Sequence, residues 1–328
     1  MKELIKKLVE AWGPSGYEHH VRHLIQEEVA DLADEITVDP LGNLICRVGQ
    51  GGTRIMVAAH MDEIGVMVSF VEPHSGFLRF NNIGGLIKTT LLGNRVRFED
   101  GTIGVIGVHD RGNNTRNNLD DFFIDVDDGN GDSARFLARP AALWREMEER
   151  GNRLIAKAMD DRIGCVVAIE AMRRLANLAA NEVYFVFTVQ EEVGLRGART
   201  AGYSIEPEVA VALDVTRTGD EPKNTKMAVN LGAGAAIKIH DSGLVVPPAI
   251  RDWMVARAEA EGIPYQLELL TSGRTDAAAI QTARAGVPSG CISIPCRYIH
   301  TVSETVDLDD VQACVDLLVG LVNNPVDL

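Results

Sequence analysis

The stretch Thr188-Val189-Gln190-Glu191-Glu192-Val193-Gly194 decides how this chain is read. It closes an apolar run, Val183-Tyr184-Phe185-Val186-Phe187-Thr188-Val189, rich in β-branched and aromatic residues. Such a run predicts a strand buried on both faces. Two adjacent carboxylates stand where the strand gives out. In open α/β sheets, ligands bind beyond the carboxyl ends of the strands. Neighbouring side chains on an extended backbone point to opposite sides. Glu191 and Glu192 can therefore do different jobs, one reaching a metal and the other a substrate or water. A solvated Glu-Glu pair opening a loop would explain the same letters, so the rest of the chain carries the choice.

Composition narrows the options. The 328 residues suffice for one large α/β domain, or a large domain with a smaller one. A net charge of −15 argues against a nucleic-acid-binding surface, which needs clustered Lys and Arg. Acidic substrates are not excluded, because a basic pocket can sit inside an acidic protein. The five cysteines, at 46, 165, 291, 296 and 314, form no C-x-x-C pair. Cys165 and Cys291 lie in apolar runs, as small core residues do. The N-terminus is amphipathic and lacks the apolar core of a signal peptide. No stretch approaches the ~20 apolar residues that span a bilayer. The expectation is a soluble cytoplasmic protein with neither membrane nor nucleic acid as partner.

Taken in order, residues 1–11 predict a helix with Leu4, Ile5 and Leu8 on one side. Gly13-Pro14-Ser15-Gly16 breaks it, and Ser15 with Glu18 matches a capping box for a second helix. His19, His20 and His23 lie in that helix's first two turns. His19 and His23 share a face with no carboxylate or cysteine signal, so surface histidines are expected. Residues 36–39 and 44–48 predict two strands about the turn Pro40-Leu41-Gly42-Asn43. A short buried strand, 55–59, ends in His60-Met61-Asp62-Glu63. Residues two apart in an extended segment face the same way, so His60 could ligate a metal while Asp62 orients its imidazole. A polar loop start is the plainer alternative.

The texture changes from 66 to 154. Short segments at 77–80, 94–98 and 102–108, separated by glycines, suggest a small β-barrel or sandwich inserted into the larger domain. The polar stretch 111–121 and the acidic run 125–132 interrupt it. The second lacks the acidic spacing of a calcium loop, so a solvated surface loop is expected. The α/β texture resumes at Lys157-Ala158-Met159-Asp160-Asp161-Arg162-Ile163-Gly164, with Ile163, Val166, Val167, Ala171 and Leu175 on one helix face. In the Asp160-Asp161 doublet one residue can cap the helix and the other bind. A further strand, 208–213, ends in Asp214. Residues 227–239 alternate like a strand but hold no dinucleotide fingerprint, and His240-Asp241 is a weaker candidate pair. A helix at 247–261, a strand at 266–270, a loop at 271–276, an alanine-rich helix and a strand at 290–295 lead to His300. Asp309 or Asp310 is expected to cap a final helix.

His60, Asp160, Glu192, Asp214 and His300 now form a set, each after a predicted strand or just before a helix. Two histidines and three carboxylates suit two borderline divalent cations such as Zn²⁺, Co²⁺ or Mn²⁺, provided one carboxylate bridges. Two ions ~3.5–4 Å apart can share a water, lower its pKa and polarise a carbonyl. A free carboxylate must then move the proton, and Glu191 is placed for it.

The motifs AHMDEIG (59–65), KAMDDRIG (157–164), TVQEEVGLRGA (188–198), ALDVT (212–216), SGRTDAAAIQ (272–281) and YIHTVSE (298–304) together resemble the M42 family of metallo-aminopeptidases, the tetrahedral or TET group. They occur in that family's order across nearly the whole chain. The resemblance implies an α/β, mixed-sheet dizinc-peptidase domain (1–65 and 155–328) with helices on both faces, and an inserted β-barrel (66–154) serving dimerisation and assembly. It implies that Asp160 bridges two ions, usually Zn²⁺ or Co²⁺, with His60 and Asp214 completing one site and Glu192 and His300 the other. Asp62 would support His60, and Glu191 would be the general base for attack by a metal-bridging hydroxide on peptide substrates. The 272–276 loop would lie near the substrate, with Arg274 and Asp276 as contacts or as a salt bridge and helix cap. Self-association from dimer to hollow dodecamer is also implied. A dimetal deacylase or carboxypeptidase acting on N-acylated amino acids is the alternative within the hydrolases. A non-catalytic, metal-stabilised assembly protein is the alternative outside them. Preference for an acidic N-terminal residue would need a basic residue in the pocket, with Arg217, Arg274 and Arg297 available; preference for lysine would need an acidic one.

Overall fold

The structure is a computed structural model that describes residues 1–109, 118–126, 132–175, 180–222 and 226–326. Helices α1 (Lys2–Val9) and α2 (His19–Val29) precede strands β1 (Glu35–Val38), β2 (Leu44–Val48) and β3 (Thr53–His60). Then come β4 (Gly65–Val71), β5 (Leu78–Ile83), β6 (Arg95–Phe98), β7 (Ile103–Val108), β8 (Phe122–Asp125) and β9 (Pro140–Trp144). Strands β10 (Glu148–Arg150) and β11 (Arg153–Ala156) lead into α3 (Met159–Arg174). They are followed by β12 (Asn181–Thr188), α4 (Arg196–Ile205), β13 (Val209–Thr216), β14 (Ala235–His240) and α5 (Pro248–Glu261). The chain closes with β15 (Tyr265–Leu269), α6 (Asp276–Gln281), β16 (Ser289–Arg297), β17 (Glu304–Asp307) and α7 (Leu308–Asn323).

The apolar runs become the middle of an eleven-stranded mixed sheet, ordered β1-β2-β12-β3-β13-β16-β17-β11-β10, with β14 joining β16 to β15. Strands β12, β3, β13 and β16 run parallel. Every residue of β13 is buried, as expected for a strand covered on both faces. Helix α3 packs on β3 and β13 beside α1 and α7, while α4 and α6 cover the other face. Strands β4 to β9 close into a separate antiparallel barrel in the order β4-β5-β8-β7-β6-β9. It has its own core of residues such as Val66, Phe80, Val96, Phe98, Phe122 and Leu143. The polar stretch 111–121 and the acidic run 125–132 lie largely outside the described residues. No helix among those described is long and apolar enough to cross a membrane.

Two caps differ from expectation. Ser15 and Glu18 make no capping box: α2 begins at His19 with no side-chain cap. Both side chains are drawn instead into the site described below. Helix α7 is capped by Asp307, which accepts from the Asp309 amide, while buried Asp310 accepts the amides of Gly232 and Gly234. In both cases the partners come from elsewhere in the fold: the Ser15 hydroxyl donates to the Asp62 carboxylate, Glu18 accepts the Gln190 amide, and Asp310 accepts its two glycine amides. The alternation at 227–239 yields a strand only at its end, in β14.

A buried ion cluster ties the start of the chain to the sheet. Glu63 receives Lys157 Nζ at 2.6 Å, the Gly13 amide at 3.1 Å and Arg162 Nη2 at 3.4 Å. Lys157 and Arg162 also donate to the Ala11 and Leu8 carbonyls. Removing one partner of a buried pair leaves an uncompensated charge, which costs more than the pair contributes. Lys157→Met is therefore expected to lower the unfolding free energy by about 3 kcal/mol. Adding Glu63→Gln should recover part of the loss, as measured by denaturant titration.

Candidate metal centre

Five chain segments deliver the site, and four of them leave the sheet at the same edge. Strand β3 ends in His60, and β12 ends three residues before Glu191. Asp214 sits near the end of β13, and β16 ends three residues before His300. This is the carboxyl edge of the parallel strands, where side chains project past the last hydrogen bonds into an open crevice. Asp160 arrives from the opening of α3. Its backbone and that of Asp161 are non-helical and are joined by a cis peptide bond. Asp161 accepts the Gly164 amide at 3.2 Å and the His60 amide at 3.3 Å, so it caps the helix and fixes β3 while Asp160 faces the crevice.

All five residues singled out as ligands meet here. His60, Asp160 and Asp214 offer atoms within 4.8 Å of one another, and so do Asp160, Glu192 and His300. Asp160 belongs to both groups: its Oδ1 is 3.0 Å from His60 Nε2 and its Oδ2 is 3.2 Å from His300 Nε2. His300 Nε2 also lies 3.2 Å from Glu192 Oε2. Each imidazole turns its other nitrogen to a backbone carbonyl. His60 Nδ1 is 3.2 Å from the Asp62 oxygen and His300 Nδ1 is 2.8 Å from the Gly85 oxygen. A proton on Nδ1 in each case leaves the Nε2 lone pair facing the carboxylates, the tautomer a metal requires.

Charge in the crevice is unbalanced. Burial pushes the Asp214 and Glu191 carboxyls well above their ordinary values and raises Glu192, with neighbouring carboxylates adding to the effect. Burial opposes a charged His60, but its hydrogen bonds to Asp160 and Asp62 outweigh that and hold it well above its usual range. Glu192 Oε1 is buried without a hydrogen-bond partner. Crowded, partly unsatisfied carboxylates are costly in a low-dielectric pocket unless a cation joins them. The donor set of imidazole nitrogen and carboxylate oxygen fits borderline divalent ions.

Asp62 does more than support His60. Its Oδ1 stands 3.4 Å from His60 Nδ1, but the same carboxylate accepts the amides of Glu191 at 3.0 Å and Glu192 at 3.2 Å, and the Ser15 hydroxyl at 2.6 Å. Glu191 is buried, with Oε2 4.0 Å from His60 Nε2. Arg274 lines a cleft of about 180 Å³ together with Asp160, Glu191, Glu192, Asp214, Arg217 and His300. Asp276 does not line it: it is buried and accepts the Thr188 hydroxyl at 2.5 Å. Arg297 is paired with Asp220. Asp241 caps its own turn by accepting the Gly243 and Leu244 amides, and His240 is exposed.

Sequence pattern does not single out Glu304, Gly84 or Gly85, and offers Glu18 only as a helix cap. Glu304 accepts the Asp160 amide at 3.0 Å and the His300 amide at 2.7 Å. Burial, with Asp160 nearby, pushes its pKa up to about 8. Glu18 accepts the Gln190 amide at 3.1 Å. Gln190 and His300 both have positive φ, 57° and 66°, a conformation that costs non-glycine residues of order 1–3 kcal/mol. In both, the residue's own amide is anchored by one of these buried carboxylates. Gly84 and Gly85 bring the barrel against the site. A Cβ on Gly85 would lie 2.8 Å from His300 Nδ1, and one on Gly84 would lie 3.1 Å from Glu192 Cβ. The Gly84-Gly85 doublet is the trace that this close approach leaves in the sequence.

A family model described as M42 glutamyl aminopeptidase matches residues 42–317. An aminopeptidase structure from the archaeon Desulfurococcus kamchatkensis is 40% identical with a TM-score of 0.92, covering 98% of this chain and 94% of that one. The Pyrococcus horikoshii TET1 peptidase, described as assembling into a tetrahedron or a large octahedral shell, is 33% identical with a TM-score of 0.87, covering 98% of each chain. The lysyl aminopeptidase of Pyrococcus furiosus is 36% identical, over 97% of this chain and 96% of its own length. With a family model matching most of its length and relatives 33–40% identical over nearly the whole chain, this chain belongs to the M42 peptidase family.

Proposed function

We propose that the chain is an aminopeptidase that removes N-terminal residues from peptides with the help of two divalent cations. The observation that carries this is Asp160, whose two carboxylate oxygens each face a different ligand group. His60, Asp160 and Asp214 would hold one ion, and Asp160, Glu192 and His300 the other, with Zn²⁺ or Co²⁺ suited to the donors. When bound, such ions supply a more acidic water and a polarised scissile carbonyl. Glu191 is the group left to take the proton from the attacking water and pass it to the leaving amine. Asp62 is a positioning residue, holding the backbone of Glu191 and Glu192 in place.

The cleft also supports a preference for acidic N-terminal residues. Lys238 at its wall is neutralised by buried Glu268 and Asp241. Arg217 and Arg274 carry no ion pair among the described residues and face the same space. Gly243 makes room for the Arg274 stem, since a Cβ there would lie 2.9 Å from its Cγ. Peptides are thus the proposed partners, together with further copies of the chain, in assemblies up to a dodecamer like those of TET relatives. The barrel, expected over 66–154, is the proposed assembly element. The described cysteines are buried free thiols, which supports the cytoplasmic expectation.

Hydrolysis of aminoacyl p-nitroanilides, free and N-acetylated, tests the reaction. EDTA should abolish turnover and Zn²⁺, Co²⁺ or Mn²⁺ should restore it, with free-amine substrates alone being cleaved. Cleavage of the acetylated series would move the assignment to a deacylase. Glu191→Gln is expected to retain fold and metal content while kcat falls by about 10²- to 10⁴-fold. Near-normal turnover in that metal-replete variant would remove Glu191 from its role. Arg274→Glu should lower kcat/KM for glutamyl substrates by about 10- to 100-fold and raise it for lysyl ones.

A further inference from the structure

Outside the crevice, a second group of ligand atoms gathers at the joint between α2 and the barrel. His19 Nε2 lies 3.0 Å from Glu99 Oε1, and His20 Nε2 lies 3.2 Å from the same oxygen. The three ligand atoms fall within 4.8 Å of one another. Consecutive residues on a helix project ~100° apart, so these two imidazoles do not converge by helix geometry alone. They converge because Glu99, in the turn between β6 and β7, reaches the start of α2. The carboxylate that joins these histidines comes from 80 residues away, where no local pattern points to it.

We propose that His19, His20 and Glu99 form a separate binding site for a borderline divalent cation such as Zn²⁺, which staples α2 to the barrel. Two imidazole nitrogens and a carboxylate oxygen are the donors such an ion takes, with bonds of ~2.0–2.2 Å. Ligand atoms bound at that distance lie ~3.3–3.6 Å apart around four-coordinate zinc, so the observed 3.0 and 3.2 Å separations need only a few tenths of an ångström of opening to admit the ion. The rings are held in place: their centroids are 4.2 Å apart, and Trp12 sets its ring edge-on to both, at 6.4 Å and 5.8 Å. Trp12 is itself anchored by donating Nε1 to the Arg97 carbonyl of β6 at 3.0 Å. All three ligands are partly exposed, at 46%, 52% and 40%, so an ion can enter and water can complete its shell. The ion would close a loop of some eighty residues, and its binding energy would then favour the joined arrangement. The site is independent of the peptidase reading.

The test compares native protein with His19→Gln/His20→Gln, both stripped with EDTA, reloaded with Zn²⁺ and freed of loosely held ions. The crevice is the same in both, so any difference in zinc per chain belongs to the joint, however many ions the crevice takes. The native protein should hold one zinc per chain more than the double variant, and its Tm should rise further on reloading. Glu99→Gln should show the same loss of zinc while keeping both imidazoles. Equal zinc content and an equal Tm response in all three proteins would overturn the proposal and leave the two imidazoles as donors of ordinary hydrogen bonds to Glu99.

Discussion

Two buried carboxylates that touch backbone, Asp62 and Glu304, hold the site together. Each accepts a pair of amides, and each pair includes residues that must face the crevice: Glu191 and Glu192 for one, Asp160 and His300 for the other. A carboxylate is an acceptor with several lone pairs and can satisfy two N–H groups at once. Two loops that leave different strands are thereby fixed relative to each other without regular secondary structure between them. Left-handed backbone at Gln190 and His300 is tolerated on the same terms, because a buried carboxylate meets the amide in each case. Strain and anchor occur together, as they do where a chain must present side chains at an angle no helix or strand supplies.

The parallel strands were legible because each is a continuous apolar run that ends in a polar residue. His60, Glu191, Glu192, Asp214 and His300 stood out for that reason, and Asp160 through the order of family motifs. The partners that position them were not legible in the same way. Ser15 and Glu18 match a helix-capping pattern, and nothing local says that Asp62 and Gln190 will compete for them. Asp310 sits at a plausible cap and is instead claimed by two glycine amides from 76 and 78 residues away. Strands β8 and β9 of the barrel carry too short an alternation to be read before their neighbours are known. A short pattern encodes what a segment can do alone; which hydrogen bond it finally makes is settled by groups the fold brings in.

The acidic composition acquires a local meaning. Much of the excess negative charge is spread over exposed positions, but a share is concentrated in the crevice, where burial makes it costly. Exposed acids act mainly through solubility and long-range potential. Buried ones need partners, and they find them either in backbone amides, as Asp62 and Glu304 do, or in imidazoles, as Asp160 does. The crevice walls add the reverse sign through Arg217 and Arg274, so one small space holds strongly opposed potentials a few side chains apart.

His300 takes its orientation from Gly85, a residue just past β5 of the barrel, through a carbonyl contact of 2.8 Å. One wall of the crevice is therefore not owned by the sheet that carries the rest. This makes the two modules a linked thermodynamic system. The acceptor that orients this imidazole moves with the barrel while the imidazole itself moves with the sheet, so the geometry at His300 depends on how the two are seated.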